Sequence, residues 1–543
     1  MLTLAQRSSS VLLVTAVVLV GPVVPSSAPH SLGPDVALAA APVLPLGAAG
    51  LTETRSTRTL QRGVTLTTIT RGAADSSHVW TVEVNIPASS TSPDPDAPAA
   101  ALSDRTSAEA LAVRLRAAGF EPRVEQVSTP ATADYRGGRL GWRVRVGRLP
   151  DRAAADALRA QLVAAGFAGS ARFSGWDPVA GDRGPWRVQL LTIDPRTFTG
   201  SLQASYGPDL EQRETVSALA RATGATAAVN GGYFVLDPAS GAPGDPAGVG
   251  VYGGRLLSET VGRRPALVLR ANARRTEVER LRWSGTVAAP GQGPLRLDGL
   301  NRVPGLIRNC GGFDDRPTTR PLHDFTCTDS DELVAFTSQF GSRTPAGAGL
   351  EAVLDRQSRV VSLRSPRGGP LLAGYRSVQA TGSRVAELRS AATVGELLRI
   401  RTSLSAGGQR VEPRAGLSVV NGGPELVRNG RLHVTPDRDG FVRPTNPSFY
   451  YGFSNERNPR TFAGVDASGR TLLATADGRS TQSLGLSIVE TAAVAKALGM
   501  RDALNLDGGG STTMAVDGQV VNAPSDATGE RPVGDALLVL PRR

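Results

Sequence analysis

The sequence predicts an α+β protein that combines a large mixed-sheet domain with a small domain made of two β-α-β halves. A duplication predicts the small domain: AEALAVRLRAAGF, residues 108–120, recurs as ADALRAQLVAAGF, residues 155–167, with eight identities in thirteen positions. The rest of the chain predicts the large domain, because strand-like segments dominate it and only residues 483–498 form a well-marked helical pattern. At 543 residues, 40% of them hydrophobic, the chain is long enough for two or three domains with a real core.

Each half of the small domain has the pattern of a strand, a helix and a second strand. Both repeats carry leucine and alanine at helical spacing and end in glycine, as a helix C-terminus does. Alternating strands precede them at Val79 and Leu140, and the short strands PRVEQV and SARF follow them. Two such halves predict a ferredoxin-like unit over residues 78–177, interrupted by a loop rich in Ser, Pro and Asp at 90–101.

The N-terminal segment, residues 1–40, predicts a signal peptide and leader. Its apolar run, VLLVTAVVLV, is too short to span a bilayer, and small-residue sites follow that end at Ala28 and Ala40. An uncleaved N-terminal anchor is the alternative. Residues 41–77 are predicted as a linker in which RGVTLTTITRG is the first strand of the large domain, 178–543, so that the small domain would be an insertion.

The net charge of +11 does not predict a nucleic-acid partner. Lys496 is the only lysine among the 60 basic residues, and the arginines are spread along the chain without a dense basic run. This distribution is compatible with an anionic wall polymer and lacks the footprint of a nucleic-acid-binding protein.

The two cysteines, Cys310 and Cys327, are expected to pair in an exported protein. The loop that they close is worth about 3 kcal/mol in the chain-entropy account. A metal site needs more ligands than this pair and the nearby His323 supply. The sequence therefore predicts a disulfide.

Three segments share one pattern, an apolar strand that ends in a polar residue followed by glycines. They are TAAVNGGYF with Asn230, LSVVNGGPEL with Asn421, and LNLDGGGSTTM with Asp507. We expect the three strand ends to meet at one edge of a sheet, where glycines let backbone N–H groups approach an anionic ligand. The alternative is that all three are merely tight turns.

Glu490 is flanked by apolar residues on the predicted helix 483–498. A carboxylate in that position is either a surface residue between core positions or a group with a raised pKa that is fit for proton transfer.

These segments carry a family resemblance. In order, NPRTFAGVD, ADGR, the helix with Glu490, LNLDGGGSTTM, AVDGQVVNAPSD and GERPV resemble the phosphodiester glycosidase family, over roughly residues 185–540. The stretch with both cysteines looks like an elaboration seen in some bacterial members. The small domain resembles the SPOR (sporulation-related repeat) domain, a wall-binding module that recognises glycan strands of peptidoglycan.

The resemblance implies hydrolysis of a sugar 1-phosphodiester at the anomeric carbon, which leaves a free sugar and a phosphomonoester. Carboxylates must act at the anomeric carbon, while cations and N–H groups hold the leaving phosphate. A carboxyl separation of ~5 Å would imply retention and one of ~6.5–9.5 Å inversion. The residues that match the motifs receive these roles: catalytic Asp507, Glu490 and Asp477; phosphate-binding Arg460, Arg479 and, more weakly, Arg531; donors Gly508, Gly509, Gly510 and Ser511; and sugar-binding Asn230 and Asn421.

No cofactor is required by anything in the sequence, although DGGGS with neighbouring carboxylates can hold Ca²⁺ or Mg²⁺. The leading hypothesis is a secreted or wall-associated hydrolase of a glycopolymer, which binds peptidoglycan through the SPOR-like domain and is not inserted in a membrane after signal cleavage. One alternative is a non-catalytic wall-binding protein that only recognises glycan phosphates. The other is a metal-dependent phosphodiesterase that cleaves P–O rather than C–O.

Overall fold

The computed structural model describes residues 42–91, 100–310, 321–443 and 445–542. The predicted signal peptide and most of the 90–101 loop therefore lie outside the described residues. From Pro42 onward the chain forms one compact unit. In the described ranges, no helix is long and apolar enough to cross a membrane.

The prediction of an α+β protein is confirmed, because strands dominate and a few helices lie among them. Over the described ranges the α-helices are Arg105–Ala117, Arg152–Ala164, Val216–Thr223, Arg384–Ala391, Pro447–Tyr450 and Ile488–Ala497.

The small domain contains the two β-α-β halves in the predicted order. Its strands, in spatial order across one antiparallel sheet, are Pro122–Thr129, Gly138–Leu149, Trp80–Val84 and Gly169–Phe173. Asp104 and Asp151 cap its two helices by accepting hydrogen bonds from the backbone N–H groups of Ser107 and Ala154, at 2.9 and 2.8 Å. Alternate strand residues, including Val82 and Val144, pack with the helices in a separate hydrophobic cluster.

Two large sheets form the body of the other domain. In spatial order, the strands of the first are Glu53–Gln61, Val64–Arg71, Trp186–Ile193, Thr471–Ala476, Arg460–Asp466, Met500–Asn505, Glu425–Arg428 and Arg431–Leu432. Those of the second are Arg255–Ser258, Gly250–Tyr252, Leu417–Asn421, Pro265–Arg270, Thr276–Ala288, Arg399–Ala406 and Gln409–Val411, with Leu295–Arg296 beside Thr276–Ala288.

Smaller sheets complete the domain. One comprises Gln519–Val520, Met514–Val516, Ala227–Asn230, Ala536–Leu540 and Ser201–Ser205, and another comprises Gly299–Leu300, Leu333–Thr337, Arg376–Ala380, Leu350–Leu354 and Val360–Arg364. Two pairs of strands stand apart, Leu306–Arg308 with Thr326–Thr328 and Arg343–Gly347 with Arg367–Pro370.

In the sequence, the small domain lies between two strands that pair with each other in the first large sheet. Val64–Arg71 pairs antiparallel with Trp186–Ile193 over its whole length, from Val64 opposite Ile193 to Arg71 opposite Trp186. The chain therefore leaves the first large sheet, builds the small domain, and returns to the adjacent strand.

The three glycine-rich turns follow strands of three different sheets, so the expectation of a single sheet edge is wrong. The strands that end at Asn230, Asn421 and Asn505 belong to separate sheets. They nevertheless meet, because Val229, Val420 and Leu504 pack in one shared hydrophobic core. The shared core, rather than a shared sheet, brings the turns together.

The C-terminal helix begins at Ile488, later than the predicted start at residue 483. Ser487 caps it: its hydroxyl accepts a hydrogen bond from the N–H of Glu490 at 3.2 Å, and the Glu490 carboxylate accepts one from the N–H of Ser487 at 2.9 Å. This reciprocal pair is a capping box. The segment SIVE carried its signature, which places Glu490 in the first turn of the helix.

Candidate active site

A cavity of about 60 Å³ lies beside the Asp507 turn. Three predicted site residues line it, Asp507, Ser511 and Arg531. The remaining polar lining includes Arg308, His323 and Asp324, and Phe449 and Phe453 form an aromatic wall. Carboxylates, cations and a hydroxyl thus face one small space.

The backbone at Asp507 is fixed from both sides by the turn that follows Asn230. The N–H of Asp507 donates to the carbonyl of Gly231 at 3.1 Å, and its carbonyl accepts from Asn230 Nδ2 at 2.8 Å. The carboxylate is half-buried, and its Oδ1 accepts a hydrogen bond from the N–H of Gly508 at 2.9 Å. These contacts hold the carboxylate at the cavity.

The glycines after Asp507 are required by close approach and by backbone conformation. A Cβ on Gly510 would lie 2.1 Å from Arg531 Nη2 and 2.2 Å from Asp526 Oδ1. Gly509 has a φ of +58°, in the region that favours glycine. The turn therefore admits the arginine of the cavity only because a side chain is absent.

Most N–H groups of the glycine turn, which were predicted to bind an anion, already donate hydrogen bonds within the protein. The N–H of Gly509 donates to the carbonyl of Pro459 at 3.0 Å, and that of Ser511 donates to Gly508 at 3.1 Å. The Ser511 hydroxyl is different, since it is buried and has no hydrogen-bond partner among the described residues. A buried hydroxyl without a partner is costly, so it is a donor that a ligand would satisfy.

Each of the two arginines of the cavity is paired with a carboxylate. Arg531 makes a two-pronged contact with Asp526, Nε to Oδ2 at 2.7 Å and Nη2 to Oδ1 at 2.9 Å. Arg308 forms an ion pair with Asp324, whose carboxylate also lines the cavity. Pairing fixes the planar guanidinium groups, which suits them to bind phosphate oxygens.

The predicted disulfide, Cys310–Cys327, is present, with the two Cα atoms 5.6 Å apart. It joins the strand pair in which Ile307 lies opposite Cys327. Arg308, His323 and Asp324 all lie within or beside the loop that it closes. Sequence reasoning missed these three residues as site residues, and the cysteine spacing around them was the signal available.

His323 is held as a neutral hydrogen-bond donor. Its Nδ1 accepts a hydrogen bond from Arg264 Nη2 at 2.8 Å, so the proton of the neutral ring is on Nε2. Burial, together with Arg264, Arg308 and Arg443, lowers the pKa of His323 well below its usual value. Its ring centroid lies 4.2 Å from that of Tyr233.

The side chains of Asn230 and Asn421 form hydrogen bonds with other residues of the protein. Asn230 Oδ1 accepts from the hydroxyl of Thr461 at 2.6 Å and the N–H of Thr513 at 3.1 Å. Asn421 accepts from the N–H of Tyr233 and donates to its carbonyl, both at 3.0 Å. Both side chains are buried, and they hold the turns instead of lining the cavity.

The other two predicted carboxylates lie outside the described lining of the cavity. Glu490 forms an ion pair with Arg457, with Nη2 to Oε1 at 2.7 Å, in addition to capping its helix. Asp477 accepts from the N–H of Ala523 at 3.0 Å, and burial raises its pKa.

The predicted phosphate arginines Arg460 and Arg479 also lie outside that lining. Arg460 is buried, which lowers its pKa to about 10, and it donates to the carbonyls of Leu486, at 2.9 Å, and Phe453. It thereby supports the aromatic wall. Arg479 Nε donates to Asn458 Oδ1 at 3.0 Å.

Larger cavities of about 440 and 930 Å³ occur elsewhere, but they contain none of the predicted site residues. The carboxylates that line the first are already engaged, as in the ion pair between Arg302 and Glu332. In the described ranges, no group of three or more His, Cys, Asp or Glu side chains is arranged to hold a metal ion.

Comparison with known proteins identifies both domains. The family model for phosphodiester glycosidases matches residues 349–540, and that for the SPOR domain matches residues 99–172. The N-acetylglucosamine-1-phosphodiester alpha-N-acetylglucosaminidase of Mus musculus is 33% identical over 102 residues, which are 19% of this chain and 20% of that protein. The chain thus spans about a fifth of the length of this curated relative.

Solved structures extend the likeness to nearly the whole chain. A Burkholderia pseudomallei K96243 protein, described as exported, is 35% identical, with a TM-score of 0.82 over 92% of this chain and 98% of that one. A Synechocystis protein shares the fold alone, with 16% identity and a TM-score of 0.52 over 91% of this chain and 80% of that one. The chain therefore contains a segment of the phosphodiester glycosidase family, residues 349–540, and a SPOR domain, residues 99–172.

Proposed function

We propose that this protein is an exported hydrolase that cleaves a sugar 1-phosphodiester at the anomeric carbon, in a cell-wall or extracellular glycopolymer. The observation that carries the proposal is the small cavity in which the Asp507 carboxylate, the paired Arg531 and the unpartnered Ser511 hydroxyl meet. This combination matches the two needs of the reaction, a carboxylate at the anomeric carbon and donors at the phosphate.

In this proposal Asp507 faces the anomeric carbon, and Asp324 is the second carboxylate of the cavity. The bond between the anomeric carbon and the phosphate oxygen breaks, and its electron pair stays on the departing phosphomonoester. Water supplies the hydroxyl that ends on the sugar, and a carboxylate takes the water's proton. Arg531, Arg308 and the Nε2–H of His323 stabilise the departing phosphate.

The cavity is smaller than the ligand. Its volume of about 60 Å³ lies well below the ~300–1,000 Å³ of typical ligand sites. Binding of a glycosyl phosphate must therefore displace side chains of the wall. The aromatic residues Phe449 and Phe453 are the apolar part of that wall, and sugars commonly bind against such surfaces.

The SPOR domain is proposed to be ferredoxin-like and to hold the protein at peptidoglycan. Its strand–helix–strand halves and antiparallel sheet support the first statement. The family match supports the second. The domain would raise the local concentration of wall polymer around the active site.

Hydrolysis in ¹⁸O-labelled water tests the proposal. Purified protein would be incubated with an N-acetylglucosamine 1-phosphodiester, and both products analysed by mass spectrometry. We expect the label on the anomeric hydroxyl of the sugar, with activity that survives a chelator. Label in the phosphate together with loss of activity on chelation would establish phosphodiester P–O cleavage instead. Binding without turnover would indicate a non-catalytic recognition protein.

A further inference from the structure

The sheet of the SPOR domain has one face covered by its helices and the other covered by the glycosidase domain. Val82, Val84 and Val144 pack with the helices. Since side chains alternate along a strand, Glu83 and Arg143 project from the opposite face. Both are nearly buried, with side chains 3% and 12% exposed.

Tyr451 of the glycosidase domain is at the centre of that covered face. Its hydroxyl donates to Glu83 Oε2 at 2.9 Å and accepts from Arg143 Nη1 at 2.8 Å and Arg145 Nη2 at 3.3 Å. The two arginines also bind Asp177, at 2.8 and 2.6 Å. Burial alone would raise the pKa of Asp177, but Arg145 and Arg143 outweigh it and lower that pKa.

Further contacts join the same two surfaces. Arg172 of the SPOR sheet forms an ion pair with Glu456, and the Ser448 hydroxyl accepts from the N–H of Leu102 at 2.9 Å. Glu83, Glu125 and Asp177 pair with Arg143 and Arg145 on the SPOR side, and Arg172 pairs with Glu456 across the interface. Removing one member of such a largely buried network leaves an uncompensated charge and is costly.

The residues that make these contacts all belong to one segment, which also forms a wall of the candidate active site. The short helix Pro447–Tyr450 continues into a π-helical turn, Tyr451–Asn455. Phe449 and Phe453 of this segment line the cavity, while Tyr451 and Glu456 bind the SPOR sheet. One segment of about two turns therefore has the SPOR domain on one side and the cavity on the other.

We propose that the sheet face of the SPOR domain is an internal clamp that positions the aromatic wall of the active site through Tyr451 and Glu456. Both are positioning residues, since they act through Phe449 and Phe453. The inference rests on the proposed function for the meaning of the cavity and for the binding of peptidoglycan by the SPOR domain.

The clamp has a consequence for wall binding. A covered sheet face is not available to glycan strands, so peptidoglycan binding by this SPOR domain must use its helices or its edges. Substitutions in the covered face should therefore alter the active site and leave binding to peptidoglycan unchanged.

Hydrogen–deuterium exchange of the full chain tests the clamp directly. Tyr451→Phe keeps the ring and removes the hydroxyl, and Tyr375→Phe, remote from the interface, is the matched control. We expect amide exchange in residues 447–457 to be at least about threefold faster in Tyr451→Phe and unchanged in the control. Because no substrate is needed, the test remains valid even if no sugar phosphodiester is turned over.

Two further readouts separate positioning from general stability. On a small sugar 1-phosphodiester, at a temperature where both variants are folded, Tyr451→Phe should raise KM about tenfold with little change in kcat, because the wall contributes binding. Pull-down with purified peptidoglycan sacculi should be equal for wild type, Tyr451→Phe and Arg143→Gln. Wild-type exchange in residues 447–457 of Tyr451→Phe would overturn the proposal, and so would sacculus binding that is lost in Arg143→Gln.

Discussion

The turns after Asn421 and after Leu506 share a pattern but do different work. At the first, both ends of the Asn421 amide are hydrogen-bonded to the backbone of Tyr233. At the second, the backbone of Asp507 is held by the Asn230 turn and its carboxylate lines the cavity. An apolar strand that ends in a polar residue and glycines is thus either scaffold or site. The difference is that the Asn421 side chain is buried in the scaffold, whereas the Asp507 carboxylate is half-buried and lines a cavity.

Asp507→Asn should have the largest effect. The amide keeps the size and the contact with the N–H of Gly508 but can act neither as nucleophile nor as base, so we expect kcat/KM to fall by about 10⁴-fold. Glu490→Gln is the matched control, because its carboxylate is engaged with Arg457 and the helix cap. Because Arg457 keeps its ion pair with Asp182, turnover should stay within about tenfold of wild type. Steady-state kinetics on one sugar 1-phosphodiester would compare the two, and the reverse ranking would move the site to Glu490.

Gly510→Ala should have the second-largest effect, a reduction in turnover of about 10³-fold. The new Cβ would overlap Arg531 and Asp526, so the arginine must leave the position from which we propose that it binds phosphate. Gly293→Ala is the control, since a Cβ there meets open space. Kinetics and circular dichroism would be measured together. A fully active Gly510→Ala protein would refute the role assigned to Arg531.

Asn421→Ala should destabilise the protein by about 3 kcal/mol, because it leaves the buried N–H of Tyr233 without a partner, while the carbonyl of Tyr233 keeps its hydrogen bond from the N–H of Ala247. Activity per folded molecule should remain near that of wild type at low temperature. Asn272→Ala, at an exposed position, is the control and should be nearly neutral. Denaturant unfolding would measure both. If Asn421→Ala were stable but inactive, the residue would belong to the site after all.

Substitution of Asp535 should have the smallest effect, a change in the free energy of unfolding that depends on pH. Asp535 lies beneath the Asn230 turn, where it accepts from the N–H of Gly232 at 2.7 Å and the hydroxyl of Tyr252 at 2.6 Å. Burial raises its pKa to about 6 from the usual 3.8. Between these values the folded protein keeps a proton that the unfolded chain has lost, so the free energy of unfolding falls as pH rises.

Asp535→Asn resembles the protonated form and removes this dependence. Relative to wild type it should gain about 2–3 kcal/mol of stability between pH 4 and pH 7. Urea unfolding at both pH values checks the difference. A gain that is the same at both would show that Asp535 is ionised throughout.

Patterns local in sequence predicted much of this molecule. The duplicated helices and the disulfide follow from short segments, and such segments also singled out Asp507, Ser511 and Arg531, which line one cavity. The helix-capping contact of Glu490 could also have been predicted, because SIVE is a capping-box signature that places the start of the helix after Ser487. The longer helical pattern from residue 483 obscured it.

Features that depend on tertiary contacts were not predictable. Arg308, His323 and Asp324 lie within or beside the loop that the disulfide closes, and tertiary contacts bring them to the cavity. The contacts of Arg460 with backbone carbonyls and of Arg479 with Asn458 Oδ1 were equally hidden, since a motif arginine that binds its own protein has the same sequence as one that binds phosphate. Burial decides between these roles, and burial is a property of the fold.

A crystal structure of Asp507→Asn with a bound sugar 1-phosphodiester would show whether residue 507 lies at the anomeric carbon. We expect the anomeric carbon about 3.5 Å from the side chain of residue 507, a near-attack distance, with the phosphate on Arg531 and Ser511. A substrate bound instead between Arg457 and Glu490, or in either of the larger cavities, would contradict this expectation.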